Sequence, residues 1–339
     1  MKEFMINKKE AGSRLDKYLF KVLNQAPKSF IFKMLRKKNI VLNDKKAQGQ
    51  EVLMENDSIK IYFSDETFDK FASEMPEREK SDTAKASSSE RFSGNFKMPD
   101  IIYEDEDVLI LNKPVGVLSQ KAQPGDYSAN EMVIDYLLKS GQLRESELRT
   151  FRPSVCNRLD RNTSGLLIAG KTMHGLQEMS RMLKDRDVRK FYRCIVNGTI
   201  AKDAHLKGYL VKNTATNKVE ILQKQTEHAS RIETAYHPIC SYNGYTLLEV
   251  HLITGRTHQI RAHLSSIGHP ILGDEKYGNK KQNRKLRQML PIEGQLLHAY
   301  RMEFPDGRIM IAPEPELFRS AEKILFQGKE LPVKQYHKR

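Results

Sequence analysis

An aspartate flanked by two arginines is the feature of this sequence best suited to chemistry. Residues 157–168 read NRLDRNTSGLLI, a polar loop that leads into an apolar strand and carries Asp160 between the arginines. Neighbouring guanidinium groups favour an ionised carboxylate, and Thr163 and Ser164 can hold the loop through side-chain to backbone hydrogen bonds. Such an anion can attack a carbon, remove a proton or stabilise a cation that develops at a sugar carbon. A purely structural Asp–Arg pair fits the same residues.

A second polar segment, residues 254–270, reads TGRTHQIRAHLSSIGHP. The pattern predicts a turn and then a helix that begins near Thr257 and ends at Gly268. The apolar face of this helix is formed by Ile260, Leu264 and Ile267. Arg261 lies off that face and is free to serve a site. The three histidines have neither HExxH spacing nor a cysteine pair beside them, so we predict no metal site.

Residues 165–172 read GLLIAGKT and match the spacing of a phosphate-binding P-loop. In a true P-loop the four residues between the glycines form an open turn whose backbone amides face phosphate. Here these residues are Leu-Leu-Ile-Ala, which favour a buried strand. We therefore predict a strand at this position and no nucleotide hydrolysis.

Apolar runs and alternations predict the elements that must position these segments. We expect a helix at 130–138 and strands at 101–103, 108–111, 190–196, 206–211, 232–240, 245–253, 300–304 and 308–311. Asn243-Gly244 is a strong hairpin signal between two of these strands. Strands outnumber helices, and tight turns join most neighbours. The sequence therefore predicts an α+β domain over residues 99–325, with a largely antiparallel mixed sheet flanked by helices.

The first 65 residues predict a separate, small and basic α/β domain. Two helices are expected from residues 13 and 29, followed by a strand at 40–42 and an alternation of apolar residues at 59, 61 and 63. Residues 1–64 carry twelve lysines and two arginines against seven acids, which is half of the chain's net charge of +14. This concentration favours a module that binds a polyanion. The second helix has a basic outer side and end, formed by Lys33, Arg36, Lys37 and Lys38.

The remaining composition bounds the class of protein. Residues 66–98 lack periodicity and large apolar side chains and predict a flexible linker, and residues 326–339 predict a basic tail. Three isolated cysteines predict neither a disulfide framework nor a zinc site. No run reaches the roughly 18 apolar residues that span a bilayer, and the N-terminus lacks signal-peptide features. We therefore expect a cytoplasmic protein that does not contact a membrane.

Several of these segments together resemble the RluA family of pseudouridine synthases. The matching signature blocks are NRLDRNTSGLL (157–167), TGRTHQIRAHL (254–264) and GHPILGD (268–274), the last followed by KYG. Weaker matches are RKFYRCIVNG (189–198) for an intermediate block and YEDED and NKPVG (103–116) for an opening strand pair. The matches span residues 99–313 in family order. Residues 1–65 resemble the S4-like RNA-binding domain that the family often carries. The family's first block usually begins with His, where this chain has Asn157.

The resemblance implies roles for individual residues. Asp160 would be the nucleophile or base, Tyr192 the aromatic residue against the target uracil and a candidate proton acceptor, and Arg261 the basic partner of Asp160. Arg158 is a candidate to enter the RNA stack in place of the flipped base. The further RNA contacts we expect are Arg256, His258, Lys33, Arg36, Lys37 and Lys38.

The resemblance also implies the reaction and the partner. The bond from ribose C1′ to uracil N1 breaks, the uracil rotates, and C1′ is rejoined to C5, with the target base flipped out of its stack. This isomerisation is redox-neutral and needs no group donor, so we expect no cofactor and no metal. The resemblance also implies a monomer. RNA is the expected partner, with large-subunit ribosomal RNA as the first candidate and transfer RNA as the alternative.

Two rivals from other classes remain open at this point. One is a non-catalytic RNA-binding ribosome-assembly factor, which we would expect to have lost Asp160, Tyr192 or Arg261. The other is an S4-domain RNA methyltransferase, but the sequence has no glycine-rich loop after a strand for a methyl donor.

Overall fold

A computed structural model of the protein describes residues 1–72, 98–213 and 218–326. These residues form two β-sheets that belong to separate hydrophobic cores. Most of the predicted linker, and residues 327–339 of the predicted tail, lie outside the described residues. Among the helices that are described, none has the length and hydropathy needed to span a bilayer.

The N-terminal domain packs three helices against a four-stranded antiparallel sheet of order β1-β4-β2-β3. Its elements are β1 (Lys2–Met5), α1 (Leu15–Val22), α2 (Lys28–Arg36), β2 (Ile40–Leu42), β3 (Lys45–Lys46), β4 (Ser58–Ile61) and α3 (Asp65–Phe71). The predicted alternation is confirmed, because Ile59, Ile61 and Phe63 are all buried. A hydrophobic residue on every second position of a strand faces one side of the sheet, here the side covered by the helices.

Helix α3 corrects the predicted start of the linker. Residues 66–71 are helical, and Phe68 is buried in the N-terminal core. The helix begins after Ser64, whose Oγ accepts a hydrogen bond from the Thr67 amide, as a helix cap does. The domain therefore extends to Ala72 rather than ending at residue 65.

The second domain contains the large mixed sheet. Its helices are α4 (Ala129–Lys139), α5 (Met173–Asp185), α6 (Gln259–Ser266), α7 (Lys280–Met289) and α8 (Glu316–Phe326). Its strands are β5 (Asp100–Glu104), β6 (Val108–Lys113), β7 (Ser154–Val155), β8 (Ser164–Gly170), β9 (Arg189–Asn197), β10 (Ala204–Asn213), β11 (Lys218–Leu222), β12 (Ser230–Tyr242), β13 (Tyr245–Leu252), β14 (Leu297–Glu303) and β15 (Ile309–Ile311). All the predicted strands and the predicted α4 are confirmed within a few residues.

The sheet has eleven strands in the order β11-β10-β12-β13-β9-β14-β8-β6-β5, with β15 paired to β14 and β7 paired to β8. The β8–β14 pair is parallel, and the other pairs are antiparallel. Asn243 and Gly244 both have positive φ, 47° and 77°, and join β12 to β13 as predicted. The α+β class with a largely antiparallel mixed sheet is therefore confirmed.

Strand β8 explains why the P-loop spacing is a coincidence. All seven of its residues are buried. Leu167 and Ala169 pack in one cluster with α4, and Leu166 and Ile168 pack on the other face with α5. The lysine after the strand, Lys171, bonds Glu104 Oε1 at 2.7 Å. The predicted strand is confirmed, and its amides pair with neighbouring strands.

Direct contacts join the N-terminal domain to the second domain. Lys9 Nζ lies 2.9 Å from Glu147 Oε2, and Lys21 Nζ donates to the Thr150 carbonyl at 2.6 Å. Arg149 donates in the reverse direction to a carbonyl of α1. Some of the basic excess of the first domain therefore serves this interface.

Candidate active site

Asp160 lies in the loop between β7 and β8, and residues on both sides of it are anchored. Ser119 Oγ donates to the Leu159 carbonyl and accepts from the Leu159 amide, at 2.9 Å in both cases. Lys113 Nζ donates to the Arg161 carbonyl at 3.1 Å. The backbone that carries the carboxylate is therefore held by two side chains, one from the last residue of β6 and one from the segment that follows it.

Asn157, at the position where the family usually has His, closes the start of this loop. Its Nδ2 donates to the Leu166 carbonyl at 3.2 Å, and its Oδ1 accepts from the Ile168 amide at 2.8 Å. At the far end, Gly165 has φ +113°, and a Cβ there would lie 2.2 Å from the Ala299 carbonyl oxygen. Only glycine allows the loop to pass directly into the parallel β8–β14 pair.

Thr163 and Ser164 hold the loop, but not through the backbone contacts that we expected. Thr163 Oγ1 accepts from Gln295 Nε2 at 3.0 Å, and Ser164 Oγ lies 2.9 Å from His298 Nδ1. All four residues are buried. Both partners belong to the segment around the start of β14, which no local sequence pattern connects to the loop.

The ion-pair partner of Asp160 is distant in sequence. Its Oδ2 accepts from Arg261 Nη1 at 2.7 Å, and its side chain is 25% exposed. The two arginines beside it, Arg158 and Arg161, are exposed, and in the described part of the chain neither forms an ion pair with Asp160. The alternative of a structural pair with an adjacent arginine is therefore not formed, and the partner is Arg261, as the family resemblance implied. Leu159 is buried and a turn follows Asp160, so the two adjacent arginines are directed to solvent.

Arg261 is shared between two carboxylates. Its Nε and Nη2 bond the two oxygens of Asp274 at 2.6 and 2.9 Å, while Nη1 bonds Asp160. Asp274 is 1% exposed and also accepts from the amides of Lys276 and Tyr277. Burial alone would lower the pKa of Arg261, but the carboxylates of Asp274 and Asp160 outweigh it and raise that pKa. The guanidinium is therefore a fixed positive charge.

Tyr192 lies on β9, is 5% exposed, and lines the same cleft as Asp160. Burial, and then the negative charge of Asp160, raise the pKa of its phenol. The phenol therefore stays protonated near neutral pH. This disfavours the expected role as proton acceptor, while the expected position against the uracil ring stays a prediction.

His258 begins α6 with a left-handed backbone and lies beside Asp160, with Nε2 4.0 Å from Asp160 Oδ2. Its Nδ1 is 3.1 Å from the Tyr277 hydroxyl, whose oxygen accepts from the Val219 amide at 2.8 Å. That hydroxyl can give its own proton to Nδ1, which leaves the ring proton on Nε2, facing Asp160. Burial lowers the pKa of His258. The negative charge of Asp160 acts to raise this pKa, and the positive charge of Arg261 lowers it further.

Lys113 is a further site residue that sequence analysis did not single out. Its side chain is completely buried, and Nζ donates to the carbonyls of Pro114, Val117 and Arg161 at 2.8–3.1 Å. Burial lowers the pKa of Lys113 to about 7, although the charge of Asp160 opposes the shift. An acceptor on each of its three donor directions fits an ammonium group.

Asp160, Tyr192, His258 and Arg261 line an open cleft with a volume of about 1220 Å³. Arg158 and Arg256, both expected to contact RNA, are exposed on its lining. Lys33, Arg36, Lys37 and Lys38 are exposed on the N-terminal domain and are not among the lining residues. Further basic residues line the cleft that the sequence did not distinguish from ordinary surface: Lys121, Arg161, Lys184, Arg186, Lys190, Lys212, Arg231 and Lys276.

The cleft therefore combines a paired carboxylate and a buried phenol with a basic rim. In the ranges 1–72, 98–213 and 218–326, no three His, Cys, Asp or Glu side chains are grouped so that they could hold a metal ion.

Known proteins resemble this chain in sequence and in fold. Residues 107–266 match the family described as RNA pseudouridylate synthase. The ribosomal large subunit pseudouridine synthase C of Pasteurella multocida is 30% identical over 311 residues, which cover 90% of this chain and 86% of that relative. The ribosomal large subunit pseudouridine synthase D of Zymomonas mobilis is 34% identical over 206 residues, which cover 60% and 64%.

Solved structures share the architecture. Human RNA pseudouridylate synthase domain containing 4 superposes with a TM-score of 0.55 at 21% identity, over 67% of this chain and 92% of that one. The human domain-containing-1 protein gives a TM-score of 0.50 at 23% identity, over 66% and 86%. These two likenesses establish a common fold.

Proposed function

This chain belongs to the RluA family of pseudouridine synthases and is an RNA-modifying isomerase, and from that premise we propose that Asp160 is its catalytic carboxylate and large-subunit ribosomal RNA its substrate. The observation that carries the first part is the ion pair between Asp160 and Arg261 in an open basic cleft. The second part is supported by the names of its relatives, which specify the large ribosomal subunit.

The proposed chemistry takes place at the ribose of a flipped uridine. When the C1′–N1 bond breaks, the electron pair leaves with the uracil and positive charge develops at C1′. A carboxylate held beside that carbon stabilises the charge, as in glycoside cleavage. The uracil then rotates, the C1′–C5 bond forms, the C5 proton leaves and N1 takes up a proton, so that the product is an isomer of the substrate.

The other cleft residues have proposed supporting roles. Tyr192, as a protonated phenol, lies against the uracil, and Arg261 keeps the carboxylate oriented. Arg158 is exposed beside Asp160, which suits a side chain that fills the RNA stack after the base has left it. Removing a base from its stack costs a few kcal/mol, and phosphate contacts along the basic rim offset this cost.

The N-terminal domain is proposed to bind the same RNA. Its exposed residues Lys33, Arg36, Lys37 and Lys38, on α2 and directly after it, supply positive charge, and structured RNA is recognised chiefly through shape and phosphate contacts. The domain contacts the catalytic domain directly, so an RNA bound to it can also reach the cleft.

The test is the variant Asp160→Asn. We expect it to abolish tritium release from RNA that contains 5-tritiated uridine, because the amide cannot stabilise the developing cation, and to leave RNA binding nearly unchanged. In cells that lack the gene, pseudouridine mapping should show missing sites in large-subunit ribosomal RNA. The wild-type gene should restore these sites, and Asp160→Asn should not.

The matched control is Asp100→Asn, which alters an exposed aspartate outside the cleft and should restore every site. Appreciable turnover by Asp160→Asn would remove that residue from the catalytic role. Missing sites confined to transfer RNA would instead overturn the proposed substrate and leave the catalytic assignment intact.

A further inference from the structure

Helix α7 carries a strongly basic exposed face. Its exposed cations are Lys280, Lys281, Arg284, Lys285 and Arg287, and the helix contains no acidic residue. Its other side is buried through Asn283 and Leu286. Within the described ranges Arg287 forms an ion pair, with Glu275, whereas the other four cations form none. The face is therefore a concentrated positive charge that the protein itself leaves largely uncompensated.

This arrangement is unfavourable for the helix by itself. Lys280 and Arg284, and likewise Lys281 and Lys285, are like charges four residues apart, which repel each other on a helix surface. Lys280 and Lys281 also occupy the first turn, where the helix dipole disfavours cations. A bound polyanion would remove both penalties.

The exposed face is fixed in position because α7 is anchored to the segment 273–275, beside the cleft. Asn283 Oδ1 accepts from the Gly273 amide at 3.0 Å, and its Nδ2 donates to the Asp274 carbonyl at 2.9 Å. Arg287 pairs with Glu275, which lines the cleft. The basic helix is thus attached to the segment whose aspartate orients the Arg261 guanidinium.

We propose that the exposed face of α7 binds the ribose-phosphate backbone of the substrate RNA next to the flipped uridine. The proposal rests on the RNA-modifying activity and adds a contact surface to it. RNA is the partner because it offers a row of phosphates that is complementary to the four cations without an ion pair in the described ranges, and because the adjoining cleft is the proposed RNA site. The N-terminal domain is then not the sole basic element outside the cleft that holds substrate.

The test is the double variant Lys281→Gln/Lys285→Gln, compared with Arg319→Gln/Lys323→Gln. The control pair has the same spacing on α8, which packs in the same hydrophobic cluster as α7 but contributes nothing to the cleft lining. Dissociation constants for in vitro transcribed large-subunit ribosomal RNA are measured between 50 and 200 mM KCl. The α7 variant should bind roughly tenfold more weakly at 100 mM, with unchanged kcat at saturating RNA.

The salt dependence gives the decisive readout. Loss of two phosphate contacts should reduce the slope of log affinity against log salt by about 1.4 to 1.8, and the control should keep the wild-type slope. Because the like-charge repulsion is gone, the α7 variant should unfold at the same or a higher temperature. Equal slopes for the two double variants would overturn the proposal, and tighter binding of an acidic protein than of RNA would do the same.

The test of the α7 contact can be distinguished from the test of the proposed substrate. Phosphate contacts do not depend on base sequence, so the slope tests α7 even on an RNA without a target uridine. A wrong substrate would appear as absent tritium release with a normal slope change.

Discussion

The central relation at the scale of single residues is the sharing of Arg261 between Asp160 and Asp274. A bidentate Arg–carboxylate pair fixes the plane of the guanidinium. Asp274 holds Nε and Nη2 in this way, and its own oxygen is held by two backbone amides. The remaining Nη1 is thereby aimed at Asp160. We therefore predict that Asp274 is a positioning residue that acts on the carboxylate through Arg261.

The variant Asp274→Asn tests this role. The amide keeps the volume but loses the charge and one acceptor, so we expect kcat to fall by about 10- to 100-fold, measured in single-turnover reactions with saturating RNA. Because the change leaves a buried guanidinium less compensated, the free energy of unfolding should fall by roughly 3 kcal/mol. Denaturant titration measures this second effect.

A second buried ion pair provides a control that distinguishes the effect on kcat from the effect on the free energy of unfolding. Arg193 and Glu314 pair at 2.8 Å, with side chains 11% and 2% exposed, and neither lines the cleft. Glu314→Gln should lose comparable stability and keep its kcat. If both variants lost kcat in proportion to stability, Asp274 would have a structural role alone.

The residues of the site were predictable to different degrees. Asp160 and Arg261 stand in motifs that resemble a family, whereas residue chemistry alone pointed to the arginines adjacent to Asp160. Asp274 had no assigned role, although it ends the GHPILGD block, and the adjacent Glu275 gives no means of telling the two acids apart by local pattern. Lys113 could not be foreseen, because its significance comes from burial against three carbonyls of the folded chain.

At the scale of secondary structure, α6 combines a face toward the cleft with a buried face. It turns Arg261 toward Asp160 and places His263 inside the protein at 2% exposure. His263 Nδ1 lies 2.9 Å from Thr234 Oγ1, whereas Nε2 is buried and has no hydrogen-bond partner among the described residues. Burial lowers the pKa of His263 to about 4. The imidazole is therefore neutral in the folded protein over the physiological range.

This shift predicts acid sensitivity of the fold. Between pH 6.5 and 4 the unfolded chain binds a proton at His263 that the folded chain does not bind, so stability falls as pH falls through this window. The contribution reaches up to about 3 kcal/mol at pH 4. Urea unfolding at pH 7 and pH 4.5 should show a smaller loss of stability for His263→Gln than for wild type.

His237→Gln is the matched control, because His237 is exposed and pairs with the exposed Asp203. Its loss of stability between the two pH values should remain close to that of wild type. If His263→Gln showed the full wild-type loss as well, another group would have to carry the acid sensitivity.

The elements that the sequence predicted best have strong local signals. Strands β12 and β13 flank Asn243-Gly244 and alternate apolar with polar residues, so their bounds were nearly right. Helices α3, α5, α7 and α8 were not predicted from the sequence. In α3, two phenylalanines are hidden among polar residues, and in α7 the sequence KKQNRKLRQM buries so few residues that its composition resembles a solvated segment.

At the scale of the whole molecule, two basic helices lie in different domains, and the domains are in contact. Lys33 on α2 and Lys37 directly after it are exposed, and α7 has exposed Lys281 and Lys285. In the N-terminal domain Lys9 and Lys21 contact the catalytic domain. The charge excess noted in the sequence therefore divides between an interface and a surface that can bind phosphate.

If one RNA molecule occupies both helices, their contributions should combine. Lys33→Gln/Lys37→Gln and Lys281→Gln/Lys285→Gln should each weaken binding roughly tenfold, and the quadruple variant roughly a hundredfold. The salt slope of the quadruple variant should fall by about 2.8 to 3.6.

Simultaneous contact through a connected molecule makes the second site intramolecular, so a short RNA hairpin should show smaller losses than a full-length ribosomal RNA. The same filter-binding titrations measure all three variants. A quadruple variant that binds no more weakly than either double variant would mean that the two helices compete for RNA instead of sharing it.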